Sequence, residues 1–264
     1  MTEFFDIASK TYDQDFTETH TGRLQRDLVW KYLDQRTAKT EPLHILELNC
    51  GTGEDAVHLA KSGHVITATD ISEEMLKQAR EKAADHGINH KIHLDRVDIK
   101  QIDSTPFDHR FDLVFSNFGG VNCIGQDDLK KFKANIRKLL KPNGALIMVI
   151  MPELCIWESL YFLTKFRPGQ VFRRKKPSVM ADVSGVKVET WYYSPKRLSK
   201  VFKPEFSRVK VKPIGFFSPP SYMETYIKRH PLLFKFISFM EQRFSRFGWQ
   251  STMADHYYIE LEVR

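Results

Sequence analysis

The sequence predicts an α/β protein with a doubly wound, mostly parallel sheet of seven strands. A short apolar run at 44–48 leads into a glycine turn at 51–53, a helical pattern over 54–61 and a second apolar run at 65–70. This order of strand, turn, helix and strand is typical of a nucleoside-binding βαβ unit. Further apolar runs alternate with helical patterns along the chain. Its 264 residues are enough for one core with a small added region.

Acidic residues surround the glycine turn and indicate a cationic ligand. Glu47 ends the first strand, Glu54 and Asp55 open the next helix, and Asp70 ends the second strand. A diphosphate would bind the bare amides of a helix N-terminus, and neighbouring carboxylates would repel it. We therefore expect a positively charged nucleoside. S-adenosylmethionine has a sulfonium, an ammonium and a ribose that Asp70 would reach.

The same stretches resemble a known family. L-E-L-N-C-G-T-G-E-D-A and V-I-T-A-T-D-I-S-E-E-M-L are similar to the first two motifs of class I S-adenosylmethionine-dependent methyltransferases. The family has a glycine where this chain has Asn49, and asparagine tolerates the left-handed backbone that the turn needs. The resemblance implies a Rossmann-like methyltransferase fold, S-adenosylmethionine as cofactor and S-adenosylhomocysteine as product. It implies cofactor contacts from seven residues of the two motifs: Glu47, Asn49, Gly51, Gly53, Asp70, Ile71 and Met75. Ile71 and Met75 would lie beside the adenine, although both are also candidates for the core.

The N-terminal residues resemble the F-D-x-x-A-x-x-Y-D opening of many small-molecule methyltransferases, including the quinone-biosynthesis type. In those relatives the segment is a lid over the cofactor, and the tyrosine that matches Tyr12 approaches the methionine end. A lid is physically reasonable because methyl transfer benefits from the exclusion of water. The alternative is that the aromatic residues of this segment only anchor the terminus to the core.

A helix predicted over 21–36 contains Arg26, which matches a basic residue that relatives place before the first strand. Its planar guanidinium is suited to binding the methionine carboxylate of the cofactor through two hydrogen bonds. A role on the protein surface is the alternative.

The segment at 91–100 is predicted to be a third strand that ends at Asp98. The resemblance implies that Asp98 accepts a hydrogen bond from the adenine amine and that Ile99 packs on the ring. Asp95 is the competing acceptor. After a fourth strand, Asn117 lies in a loop at the carboxyl edge of the sheet, where ligands of this fold bind, so we expect it to border the methyl group.

The pattern changes after a fifth strand at 145–151. We interpret 1–43 as lid and helix, 44–151 as cofactor-binding core, 152–193 as an inserted substrate cap, and 194–264 as the completion of the sheet. The cap contains a hairpin predicted to turn at Ser184–Gly185. Its aromatic residues are candidates to line an apolar acceptor pocket, with arginines at the rim: Trp157, Tyr161, Phe162, Trp191, Tyr192 and Tyr193, with Arg167, Arg173 and Arg174. In relatives the last strand is inserted antiparallel beside the fifth.

Charge is distributed unevenly along the chain. Residues 1–150 contain 20 basic and 23 acidic side chains, whereas 151–264 contain 20 and 10, a net charge of +10. An anionic partner, a membrane surface or simple solvation would each explain this excess. A two-part helix broken at Pro231 is predicted near the end of the chain. Its later half, at 231–247, places phenylalanines at helical spacing with cations between them, which permits peripheral membrane contact.

Composition argues against several classes of protein. The three cysteines and ten histidines are too scattered for a disulfide framework or a metal site, so no metal is expected. No apolar run has the length of a membrane span and the first residues are not a basic signal region, so a cytoplasmic protein is expected.

Together these features predict methyl transfer from S-adenosylmethionine by in-line displacement to a small-molecule acceptor, aromatic or lipid-like, through an oxygen, nitrogen or carboxyl nucleophile. If the acceptor must lose a proton, His256 beside Asp255 is the candidate base. One alternative is an RNA methyltransferase, but no RNA-binding module is visible and a nucleic-acid partner is not expected. A nucleoside- or NAD-binding protein without methyl transfer is the other alternative.

Overall fold

The computed structural model describes residues 2–38, 41–183 and 185–264. Its main sheet has seven strands, in the spatial order β3–β2–β1–β4–β5–β9–β8. The nine strands of the described chain are β1 (His44–Leu48), β2 (Val65–Asp70), β3 (Ile92–Arg96), β4 (Phe111–Ser116), β5 (Leu140–Ile150), β6 (Val179–Val183), β7 (Val186–Thr190), β8 (Phe206–Ile214) and β9 (His256–Val263). Strands β1 to β5 pair in parallel, and β9 is antiparallel to both β5 and β8. The predicted fold is confirmed, including the insertion of the last strand beside the fifth.

Helices cover both faces of this sheet. They are α1 (Thr2–Tyr12), α2 (His20–Thr37), α3 (Glu54–Lys61), α4 (Glu73–Asp85), α5 (Leu129–Leu139), α6 (Ile156–Thr164), α7 (Pro195–Phe202), α8 (Glu224–Arg229) and α9 (Pro231–Phe244). Successive residues of a strand point to opposite faces, so Ile45 packs in a core with α2, α3 and α4, whereas Leu46 and Leu48 pack in a second core with α5 and α7. Two cores separated by one sheet are what a doubly wound fold requires.

Two predicted strand boundaries were wrong. Strand β3 ends at Arg96 and not at Asp98, because Asp98 begins a short 3₁₀ turn by accepting a hydrogen bond from the Lys100 amide at 2.9 Å. Strand β5 begins at Leu140, directly after α5, and not at residue 145. Residues 140–144 include a proline and Asn143, which has a positive φ of 62°. These residue types are typical of a turn, so the sequence pattern predicted one here.

The segment between β5 and β8 contains α6, a separate β6–β7 hairpin and α7. The hairpin matches the prediction, although Ser184 lies outside the described residues. The two-part helix predicted to break at Pro231 is also confirmed, as α8 and α9. The division into lid, core, cap and completing segment stays a prediction. No described helix combines the length and apolar character that crossing a bilayer requires.

Candidate active site

The turn after β1 has three left-handed residues at alternate positions. The φ angles of Asn49, Gly51 and Gly53 are 56°, 54° and 78°. Asparagine therefore adopts the conformation expected of the missing family glycine. Gly53 is needed for space as well, because a Cβ atom there would lie 2.7 Å from the Cβ of Ala79 in α4. The turn thus packs α3 closely against α4 and exposes its backbone at the carboxyl edge of the sheet.

Buried polar atoms without partners gather at this edge. The Glu47 Oε2, Asn49 Oδ1, Ser116 Oγ and Arg26 Nε atoms have no hydrogen-bond partner in the described part of the chain. Burial raises the pKa of Glu47 well above its usual value, and the nearby carboxylates of Asp55 and Asp70 raise it further against the opposing effect of Arg26. Since native proteins rarely leave buried polar groups unsatisfied, these atoms fit a polar ligand with positive charge.

Only part of the predicted acidic cluster faces this ligand position. Asp55 accepts hydrogen bonds from Trp30 Nε1 at 2.7 Å and Asn117 Nδ2 at 2.8 Å, and it pairs with Arg26 at 3.2 Å. Glu54 pairs with a lysine of α4 at 2.7 Å. Both carboxylates are therefore compensated within the protein. The prediction that they help to bind a cationic ligand was wrong, because it counted charges without their partners.

Asp70 ends β2 at the carboxyl edge of the sheet, beside the glycine turn. Its two carboxylate oxygens accept hydrogen bonds from the amides of Gly51 at 2.9 Å and Ser72 at 3.0 Å. These bonds tie the end of β2 to the glycine turn after β1. Each carboxylate oxygen has a second lone pair, so both can also accept a hydroxyl.

Arg26 is buried, with 6% of its surface exposed, so the alternative of a surface role is wrong. Its guanidinium lies against the rings of Phe16 and Phe118, at 5.8 and 5.2 Å from their centroids, and pairs with Asp55. Asn117 donates to Asp55 and accepts from the Phe118 amide at 2.9 Å, so its polar atoms shape the loop after β4.

The N-terminal segment covers the glycine turn. The Tyr12 ring lies against Gly51, where an added Cβ would be 3.8 Å from Tyr12 Cε1. Burial raises the pKa of Tyr12 to about 12, so its phenol stays neutral. The Thr52 hydroxyl donates to Asp13 at 2.7 Å, and Lys82 lies 3.2 Å from the same carboxylate. The motif comparison did not identify Thr52 or Lys82, because these contacts join residues far apart in sequence.

The two acceptors predicted for the adenine amine differ in their surroundings. Asp98 accepts a hydrogen bond from the Lys100 amide at 2.9 Å and begins a short 3₁₀ turn after β3. The competing acceptor Asp95 instead pairs with the exposed His93 at 3.1 Å.

Of the three apolar residues assigned to the adenine end, Met75 and Ile99 are buried. Ile99 packs in the core beneath the sheet, and Ile71 is half-buried. The core alternative given for Met75 therefore agrees with its burial, while contact of all three with adenine stays a prediction.

His256 lies at the same edge of the sheet, because β9 begins beside the end of β5. It is buried, its Nδ1 is 3.3 Å from Asp255 Oδ2, and its ring is 5.5 Å from that of Phe118. Burial opposes ionisation of Asp255, but His256 and Arg174 outweigh it and hold the pKa of this carboxyl below its usual range. An ionised carboxylate therefore faces the imidazole.

The prediction of the residues that line the acceptor pocket and form its rim was wrong in two respects. Arg174 is not at a rim: only 5% of its surface is exposed, and it bonds Glu158 and Asp255. Tyr193 belongs to the core, with its hydroxyl donating to the Ile124 carbonyl. An apolar cavity of about 340 Å³ exists elsewhere, and only Trp157 of the predicted set lines it. Its other walls come from 217–240.

The sheet order, the glycine turn and the acidic residues that end β1 and β2 are features of the Rossmann-like fold of class I S-adenosylmethionine-dependent methyltransferases. Residues 45–144 match the family model described as "Methyltransferase domain". This segment is therefore similar to a methyltransferase domain, as its motifs predicted.

Individual relatives agree with the class. Over 150 residues the chain is 31% identical to a demethylmenaquinone methyltransferase of Clavibacter sepedonicus, covering 56% of each chain. It is 30% identical over 110 residues to the tRNA 5-carboxymethoxyuridine methyltransferase of Escherichia coli K12, covering 40% of this chain and 42% of the relative. The alignments thus span about half of these curated relatives. The CcbJ methyltransferase of Streptomyces caelestis has the same fold, with a TM-score of 0.63, 16% identity, and coverage of 100% of this chain and 98% of CcbJ.

Proposed function

We propose that this chain binds S-adenosylmethionine at the carboxyl ends of β1, β2 and β4 and transfers its methyl group to an apolar small molecule. The buried polar atoms without partners carry the proposal, because they surround the glycine turn on the side where this fold binds ligands. Arg26 and Glu47 would hold the carboxylate and the ammonium of the methionine end. Asp70 would hold the ribose and Asp98 the adenine amine.

The protonation of Glu47 supports this arrangement. Its raised pKa means that burial disfavours the charged carboxylate in the free protein. A bound ammonium would favour the charged form again, so the site gains a strong ion pair only with a cationic ligand. The cofactor supplies a methyl group on a positively charged sulfur. The protein's task is to align the acceptor with that methyl group and exclude water, and alignment alone can contribute up to about 7–11 kcal/mol.

His256 is proposed as the base for an acceptor that must lose a proton. His256 Nδ1 lies 3.3 Å from the ionised Asp255 and has no hydrogen-bond partner in the described part of the chain. A small rotation of the ring would let Nδ1–H donate to that carboxylate and leave the Nε2 lone pair to accept a proton. The acceptor hydroxyl or amine then transfers its proton to Nε2 while its oxygen or nitrogen bonds the methyl carbon. The carbon–sulfur bond breaks with its electron pair passing to sulfur. A carboxylate acceptor would need no base.

Calorimetric titration with S-adenosylhomocysteine tests the cofactor site. We expect binding by the wild type, and at least about tenfold weaker binding by Glu47→Gln and Asp70→Asn, since each loses a charged hydrogen bond. Asp95→Asn is the matched control, because this carboxylate lies on the same sheet but pairs with His93. Binding of NAD without S-adenosylhomocysteine would support the nucleotide-binding alternative and refute the proposal.

Incubation with isotopically labelled cofactor and a cell extract, followed by mass spectrometry, tests the transfer and identifies the acceptor. With that acceptor, His256→Gln should lower kcat by about 100-fold or more and remove the fall in rate on the acidic side of the pH profile, which a base causes when it is protonated. The affinity for S-adenosylhomocysteine should stay unchanged. An unchanged pH profile would exclude His256 as the base.

RNA is the second candidate acceptor. The net charge of +10 over 151–264 and the E. coli tRNA methyltransferase among the relatives favour it. Phosphate contacts would make binding to bulk tRNA fall steeply with salt. Tight, steeply salt-dependent binding together with label in tRNA would replace the small-molecule assignment.

A further inference from the structure

We propose that one face of this protein docks on an anionic lipid membrane. The face consists of α6, the loop at 165–176, α8, α9 and the turn at 245–249, and is called the cationic apolar face below. Docking does not depend on the proposed methyl transfer. The use of the apolar cavity in this face by a lipid acceptor rests on the proposed methyl transfer.

Large apolar side chains stand out from this face. Phe166 has 93% of its surface exposed, Leu232 78% and Phe236 61%, and Phe239 and Trp249 are also exposed. Single exposed apolar residues are common on proteins, but a cluster of this kind marks an interaction surface.

Contacts between elements show that these side chains belong to one surface. The Trp157 indole in α6 donates to the Phe216 carbonyl at 3.1 Å, and the Phe216 and Trp249 rings are 5.5 Å apart. The rings of Tyr161 and Tyr222 are 5.4 Å apart. The helix α6 and the turn at 245–249 are therefore joined through the loop that precedes α8.

The charges on this face have one sign. The stretches 154–181 and 216–254 contain three carboxylates, and all are buried: Glu158 bonds arginines, Glu224 bonds His20, and Glu241 accepts four backbone amides. Arg173 and Arg174 pair with Glu158 and are half-buried and buried. The other cations of these stretches are exposed, and eight of them form no ion pair with any residue in the described ranges: Lys165, Arg167, Lys175, Lys176, Arg229, Lys235, Arg243 and Arg246.

Charge complementarity selects the occupant. Two copies of a uniformly positive face would repel each other, which argues against a symmetric dimer. Apolar side chains interspersed with cations are what a protein inserts into the headgroup region of an anionic bilayer. The apolar groups protrude, as Phe166 does, and a fluid lipid surface accepts protruding groups without a matching shape. We therefore commit to an anionic membrane.

The apolar cavity opens on this face. Leu233 and Phe236, both exposed, are part of its lining together with Trp157 and Phe217. Phe217 follows the loop residue Gly215, whose carbonyl accepts the Asp255 amide at 3.0 Å, so the inner wall is linked to the strand end that carries His256. A hydrocarbon chain fits such an apolar cavity, with its polar head toward His256.

Co-sedimentation with vesicles tests the docking. We expect the protein to pellet with vesicles of phosphatidylcholine mixed with phosphatidylglycerol, to stay in solution with phosphatidylcholine alone, and to be partly released by high salt. The variants Phe236→Ser/Phe239→Ser and Lys235→Glu/Arg243→Glu should each lose most of this binding. Lys196→Glu, an exposed change in α7, is the control and should bind as the wild type.

Other outcomes would overturn the proposal. The protein could remain in the supernatant with anionic vesicles at low salt, or the Lys196→Glu control could lose as much vesicle binding as the other variants. Sedimentation velocity could also show a dimer that Phe236→Ser disrupts. The last would assign the face to a second copy. Calorimetric binding of S-adenosylhomocysteine separates the two proposals: the surface variants should keep it, whereas failure of the cofactor site would abolish it in every variant, including the wild type.

Discussion

Replacing Arg174 with methionine should destabilise the protein strongly, because this guanidinium joins two buried carboxylates. Its Nη2 lies 3.0 Å from Glu158 and 3.1 Å from Asp255, and its Nη1 donates to the Asp255 carbonyl at 3.1 Å. The side chain also stacks on Tyr192, 5.1 Å from the ring centroid. Methionine keeps most of the volume and removes every one of these donors.

The expected loss in the free energy of unfolding depends on the partners that Glu158 and Asp255 keep. Removing one partner of a buried ion pair costs about 3–5 kcal/mol because it leaves an uncompensated buried charge. Here Glu158 keeps Arg173 at 2.7 Å and Asp255 keeps His256 at 3.3 Å. The lower end of the range, about 3 kcal/mol, therefore applies. For a protein of this size it corresponds to a fall in Tm of about 6–12 °C.

Urea unfolding followed by circular dichroism measures this loss. Arg173→Met is the matched control: it bonds the same Glu158 but is half-buried, so we expect a loss of about 1 kcal/mol. Equal losses in the two variants, or a loss below about 1 kcal/mol for Arg174→Met, would refute the conclusion that the buried double pairing stabilises this region.

Three further predictions follow from buried groups and backbone geometry. Gly53→Ala should cost about 2 kcal/mol or more by urea unfolding, because of its positive φ and the contact with Ala79, whereas Gly63→Ala, with a φ of 98° and open space, should cost only about 1 kcal/mol. Glu241→Ala should lower the free energy of unfolding by about 3 kcal/mol, since four buried amides lose their acceptor; a change in Tm within error would contradict this. The lowered pKa of Asp255 means that its stabilisation is fully present above the ordinary carboxyl pKa of about 4 and is lost as pH falls from there towards the lowered pKa of the folded protein. Urea midpoints between neutral and acid pH should show this loss, and Arg174→Met should reduce it.

Local features of the sequence predicted much of the fold. The left-handed Asn49 and the helix break at Pro231 each depend on a few neighbouring residues. Backbone preferences act over this range, so periodicity and turn residues recover strands and helices well. Boundaries failed where a turn signal lay inside a strand, as at Asn143.

Ion pairs between side chains that are far apart in the sequence could not be predicted from local patterns. From the sequence we predicted that Asp55 lies beside a ligand and that Arg174 lies at the rim of the acceptor pocket. In the structure Asp55 pairs with Arg26, and Arg174 pairs with Asp255, 81 positions away. A carboxylate is available to a ligand only if no cation of the protein reaches it, and that depends on how the chain returns through space. The sequence by itself therefore determined the class of fold and the residues at the strand ends. The tertiary structure alone decided which of their charges remain free, because the pairing of distant charges is set by packing and not by local propensity.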